Sequence, residues 1–140
     1  MDMAHRQMFA LLNASTAPWW LSMILLPRSA FTARLVDRTP LVLGGLGLSY
    51  AALLGRGLGH GDPIDFTDPD SVRAGLQRPD GFLAGWAHYL AFDLFVGRWI
   101  WRTALAERRG CRIALLLTWW TGPLGLTVFM AQRRLRPVTG

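Results

Sequence analysis

Residues 81–101 read GFLAGWAHYLAFDLFVGRWIW. At about 1.5 Å per residue a helix of this length covers roughly 31 Å, the thickness of a bilayer's hydrocarbon core. Three further apolar blocks of similar length lie at 8–26, 40–58 and 111–130, with this one centred on 82–101. Four blocks of about 20 residues leave about 60 for everything else, which excludes a separate soluble catalytic domain and a nucleotide-binding fold. The expected fold is all-α: a polytopic membrane protein with four transmembrane helices in a bundle, one domain over 1–140. A short interfacial helix is expected between spans two and three.

Composition agrees with that expectation. Residues of the AVILMFWYC set make up 51% of the 140, charged residues 17%, and the mean hydropathy is +0.24. All 15 basic residues are arginine, against 9 acidic ones, giving a net charge of +6. In a soluble chain this would point to nucleic acid. Here most arginines flank the apolar blocks, where anionic headgroups lie, so membrane lipid is the expected partner and nucleic acid is not. Assigning loops to two sides gives seven basic residues on each, so orientation stays open. One cysteine, Cys111, excludes an internal disulfide and a multi-cysteine metal site. No cleavable leader is expected, because the first apolar run, MFALL, is too short for one. All-arginine usage with abundant Ala and Gly points to a bacterial host and its inner membrane as the location.

Local signals organise the chain. Pro18 falls inside span one, where it kinks a helix and frees the carbonyl of Ala14, which Ser15 and Thr16 could re-satisfy. Residues 28–38 read as a basic loop, and span two begins at Pro40 with a general small-residue face. The polar stretch 55–81 holds Asp62, Asp65, Asp68, Asp70 and Asp80, but lacks the glycine and terminal glutamate of a calcium-binding loop. Its plainer reading is a short surface helix capped by Asp68 with Pro69 in first position. Span four is expected to break at Gly122–Pro123. No metal and no cofactor is expected.

Within 81–101 the most informative residue is Asp93. About 18 Å along the helix, an ionised carboxylate costs at least about 2.5 kcal/mol in hydrocarbon, so it faces protein or water, or is protonated. Tyr89, four residues earlier, lies on nearly the same face and could bond it; His88 and Arg98 point elsewhere. The group reads equally as polar glue between helices. Haem on His88 needs a second facing histidine, and His5 and His60 fall outside the spans.

GWAHYLAFDLFVGRWIW at 85–101, followed by a basic loop and TGPLGLTVF at 121–129, resembles the abscisic-acid-deficient-four-like family. PWWLSMILLPRS at 18–29 and DSVRAGL at 70–76 are similar to that family's pattern as well, so the likeness covers most of the chain. These are small four-helix membrane proteins whose plant members are required for making neoxanthin from violaxanthin. The resemblance implies a role in xanthophyll metabolism, with a carotenoid ligand and a neoxanthin synthase-like, epoxide-isomerising activity. Such chemistry needs a base and an acid at one end of a polyene. The resemblance thus implies Asp93 as base and Tyr89, His88 or Arg98 as partners of the oxygen. Trp19, Trp20, Trp86, Phe92, Trp99 and Trp119 are then expected to line a ligand groove, with Phe95 beside them. Two other readings stay open: a non-catalytic carotenoid- or lipid-binding subunit of a larger membrane complex or homo-oligomer, and a proton relay built on Asp93 and Arg98.

Overall fold

A computed structural model describes residues 1–59 and 63–136. His60 and Asp62, considered above as haem and calcium ligands, lie outside the described residues. Seven helices and no strand are present among those described: α1 (Met3–Leu25), α2 (Ala30–Asp37), α3 (Thr39–Gly59), α4 (Pro69–Gln77), α5 (Pro79–Ala106), α6 (Arg112–Thr121) and α7 (Pro123–Leu135).

Four apolar spans are expected from the sequence. Among the described helices, α1 is the one both long and apolar enough to cross a membrane, with a mean hydropathy of 1.2 in its 18-residue window. Helices α3, with 21 residues, and α5, with 28, meet the length alone. The fourth block is divided at Gly122, whose φ of 57° and ψ of −99° suit glycine and few others. Pro123 opens α7 directly after it.

The chain separates into two compact units, and α1 and α5 each contribute to both. The first unit contains Met1–Ser15 and Val42–Ala91. Leu12 of α1, Leu46 and Leu53 of α3, and Leu83, Ala84, Ala87 and Leu90 of α5 form its core. Leu46 and Leu53, seven residues apart, share one face of α3, and Leu83, Ala87 and Leu90, at spacings of four and three, share one face of α5. Phe9, Phe82, Trp86 and Tyr89 stack along its flank, with neighbouring ring centroids 5.2 to 6.2 Å apart. Helix α4 starts as its sequence dictates: Asp68 accepts from the backbone N–H groups of Asp70 and Ser71, and Pro69 takes the first turn.

The second unit contains Thr16–Leu41 and Phe92–Gly140. Trp20, Met23, Val36, Leu94, Ile100, Leu115 and Phe129 fill its core. Trp20 is 1% exposed and lies over Gly97, where an added Cβ would meet its Cη2 at 2.6 Å. The Trp20 and Trp119 rings stack at 6.2 Å. Residues 30–37, expected as loop, form α2. Ser29 caps it by accepting from Phe31 N–H and Thr32 N–H, while Thr32 and Val36, four residues apart, turn inward. Buried hydroxyls bond carbonyls: Thr32 donates to Leu26 at 2.7 Å, Thr39 to Val36 at 2.6 Å and Thr118 to Ala114 at 2.8 Å. Helix α5 ends in a paired-carbonyl cap: Arg109 N–H reaches Ala104 O, Arg108 N–H reaches Leu105 O, and Arg108 takes the left-handed position at φ 51°.

Pro18 lies inside a continuous α1. The Ser15 hydroxyl donates to Leu12 O at 2.7 Å, so it serves the preceding turn and not the carbonyl of Ala14.

Candidate functional site

Helix α5 carries all four candidate catalytic side chains, His88 and Tyr89 in its first-unit half and Asp93 and Arg98 in its second-unit half. In the first unit, His88 lies on the wall of an open, mainly apolar cavity of about 210 Å³. Leu54 and Tyr50 of α3, Ile64 and Phe66 of the connecting segment, Val72, Gly75 and Leu76 of α4, and Gly81, Ala84 and Gly85 of α5 complete the lining. The His88 and Tyr50 rings approach to 5.8 Å between centroids at 48°. These are the titratable side chains lining the cavity, an imidazole and a phenol against alkyl walls. Tyr89, 37% exposed, stacks on Trp86 at 5.6 Å. Trp86 in turn donates from Nε1 to Asn13 Oδ1 at 3.3 Å.

A polar cluster closes the same unit at the start of α1 and α5. His5 lies between two carboxylates, with Nδ1 2.6 Å from Asp2 Oδ1 and Nε2 3.2 Å from Asp80 Oδ1; Arg56 reaches Asp80 at 3.4 Å. Hydrogen bonds from the His5 backbone and ring hold the Asp2 carboxyl below its ordinary range.

In the second unit Asp93 and Arg98 are half-buried. Arg98 Nε and Trp19 Nε1 are enclosed, and neither has a hydrogen-bond partner among the described residues. Trp99, 37% exposed, meets Phe129 edge-on at 5.6 Å and lies under the Arg133 guanidinium at 5.8 Å. Trp119 is half-buried against Trp20, and Phe92 is 61% exposed. The six expected ligand aromatics therefore have different settings: Trp20 is core, Trp86 belongs to a stacked ladder in the first unit, and Phe92 faces outward. Tyr50 lines the His88 cavity without having stood out in the sequence. It lies 38 positions before His88 in another helix, and its only linear signal was being a polar aromatic in an otherwise apolar span.

The first unit sets an imidazole, which can accept or donate a hydrogen bond, and a phenol, which can donate one, against an apolar cavity. Among the described residues no group of three or more His, Cys, Asp or Glu is placed to hold a metal ion.

Neither a curated protein nor a solved structure matches the chain. A family model, ABA DEFICIENT 4-like, matches residues 7–129. That stretch covers α1 to most of α7, including His88, Tyr50, Asp93 and Arg98. The chain belongs to the ABA DEFICIENT 4-like family.

Proposed function

We propose that the chain is a multi-pass membrane protein of xanthophyll metabolism that isomerises a carotenoid end group by acid and base catalysis. Membership of the family carries this reading. The outward faces support the membrane setting. Leu21 and Leu25 of α1, Leu41 and Leu48 of α3, Phe92 and Phe95 of α5, and Trp120 of α6 are all exposed, while buried serines and threonines bond backbone carbonyls. Apolar surface outside and small hydroxyls inside suit a helix bundle in hydrocarbon. Helices α1, α3 and α5 then make three passes, and α6 with α7 makes a broken fourth. At about 1.5 Å per residue, α3 covers roughly 31 Å and α5 roughly 42 Å. The host membrane is a bacterial inner membrane.

The cavity supports the ligand class. At about 210 Å³ it falls below the roughly 300 Å³ at which whole drug-sized ligands fit, so it takes one ring of a long polyene and leaves the chain outside. In the reaction a base removes the proton on carbon 7, and that electron pair forms the double bond between carbons 6 and 7. The bond from carbon 6 to the epoxide oxygen breaks, and the oxygen takes a proton as a hydroxyl. Product and substrate are isomers, so no oxidant or cofactor enters. His88 serves as the base and Tyr50 hydrogen-bonds the oxygen; Tyr89 stacks on Trp86, while Asp93 and Arg98 belong to the other unit.

The test is turnover of a 5,6-epoxy xanthophyll by the full chain in liposomes, read by chromatography as an allenic product of unchanged mass. His88→Gln is expected to lower the rate about 100-fold or more, the usual contribution of a general base. Asp93→Asn is expected to leave measurable turnover. Substrate retained by the wild type without conversion would overturn the enzyme in favour of a binding protein. Proton flux abolished by Asp93→Asn, with no conversion, would favour a relay.

A further inference from the structure

Positive charge is distributed unevenly along the chain. Eleven of the fifteen arginines fall in the second unit, with three of the nine carboxylates: Asp37, Asp93 and Glu107. Asp37 pairs with Arg102 at 2.9 Å. Glu107 pairs with Arg133 and Arg109, both at 2.6 Å. Asp93 lies within α5, more than three helical turns before the loop that carries Glu107. Arg28, in the turn after α1, and Arg112, at the start of α6, therefore have no carboxylate partner among the described residues.

Those two segments enclose a cavity of about 140 Å³ lined by Pro27, Arg28, Leu105, Arg109, Cys111 and Arg112, with Gly110 at its edge. Arg112 is held in place: Nε donates to Ile24 O at 3.0 Å and Nη2 to Leu25 O at 3.3 Å, the orphan carbonyls at the end of α1. Its Nη1 is left over. Arg109 is held likewise, with Nη1 on Gln132 O at 3.1 Å and Nη2 on Arg136 O at 3.0 Å, and its charge is met by Glu107. Arg28 is exposed and makes no hydrogen bond or ion pair among the described residues. Arg28 and Arg112 line the same cavity, with Cys111 between them in its wall. Cys111 begins α6 without a side-chain cap, and no acidic residue stands in the first turn. The free N–H groups of that turn add their partial positive charge on the same side.

Two uncompensated guanidiniums beside an uncapped helix start raise the energy of the empty site by like-charge repulsion, and an anion relieves it. At about 140 Å³ the cavity has room for a tetrahedral oxyanion, well above the roughly 10 to 15 Å³ that one water needs. Planar guanidinium forks match its oxygens. We infer that this cavity binds a single phosphate group, as a phosphomonoester or phosphodiester anion, between Arg28, Arg112 and the first turn of α6. This site lies in the other unit from His88 and stands whether or not the chain acts on carotenoids.

The full chain in neutral detergent tests it by thermal unfolding. Three probes are titrated: inorganic phosphate, phosphatidylglycerol in mixed micelles, and phosphatidylcholine in mixed micelles, whose phosphodiester is neutralised by its own cation. Arg28→Gln is compared with Arg134→Gln, which removes the same charge from an exposed position outside the cavity. At least one of the two net-anionic probes is expected to raise the unfolding temperature saturably, with phosphatidylcholine giving at most a tenth of that response. Arg28→Gln is expected to raise the half-saturating concentration at least tenfold, and Arg134→Gln less than twofold. A response to inorganic phosphate assigns the site to free phosphate compounds; a response confined to phosphatidylglycerol assigns it to a lipid headgroup. No saturable response to either anion, or equal weakening by both substitutions, would overturn the inference, because general charge or salt exclusion would then explain any effect.

Discussion

At the scale of single residues, two contacts define what each unit can tolerate. Trp20 covers Gly97 so closely that any Cβ there meets the indole, and Trp20, at 1% exposure, has no free volume to retreat into. Gly97→Ala is therefore expected to destabilise by about 1 to 3 kcal/mol through overpacking. Trp20→Ala should cost about 3 to 5 kcal/mol through a cavity instead, and denaturant titrations of the two variants check both values. In the other unit the Tyr50 ring lies 5.8 Å from the His88 ring, centroid to centroid. Tyr50→Phe keeps the ring and its packing, so unfolding is expected to be unchanged. Turnover of a 5,6-epoxy xanthophyll should fall about 10- to 100-fold if that hydroxyl serves the oxygen. Asp93 drew attention in the sequence because a lone carboxylate in an apolar run is costly. Tyr50 drew none, because a pairing between helices leaves no mark at short spacing.

At the scale of elements, the links between helices hold the testable features. Glu107 follows α5 and receives the Arg133 guanidinium from α7, whose hydrogen bond is the main cause holding its carboxyl below the ordinary value. A carboxyl with a lowered folded-state pKa contributes stability that is present above the unfolded value of 4.5 and lost as pH falls through the lower folded value. Wild-type unfolding temperature is thus expected to drop on acidification below about pH 4.5, and Glu107→Gln should remove that part of the drop. The α5 cap places Arg108 at φ 51°, a position glycine fills without a Cβ penalty. Arg108→Gly is expected to stabilise by about 0.5 to 1 kcal/mol, the relieved left-handed penalty less glycine's entropy cost, measured in the same titration. Element boundaries were readable where chemistry is local. Asp68 with Pro69 gave the start of α4, and Gly122 with Pro123 gave the break before α7. Residues 30–37 read as loop because Arg28, Arg34 and Arg38 punctuate the stretch, although Ser29 and the inward pair Thr32 and Val36 carry the helix signal.

At the scale of the whole molecule, the apolar blocks and the family pattern were legible because hydropathy and motif are properties of consecutive residues. The division of the chain was not, since α1 and α5 run through both units and no linker marks the change. If the His88 cavity takes one ring of a carotenoid, its occupancy is the most direct observation to make. Gly85 lines that cavity, and a Cβ there meets only the end of the flexible Leu76 side chain, at 3.2 Å. Gly85→Leu should therefore fill the space without disturbing the helices. The deciding measurement is a titration of the purified full chain with a 5,6-epoxy xanthophyll, followed by the shift of the pigment's visible absorption. The wild type is predicted to bind saturably, and Gly85→Leu to bind at least tenfold more weakly with unchanged helicity and unfolding temperature. Absence of a saturable shift in the folded wild type, or equal binding by the filled variant, would contradict the assignment.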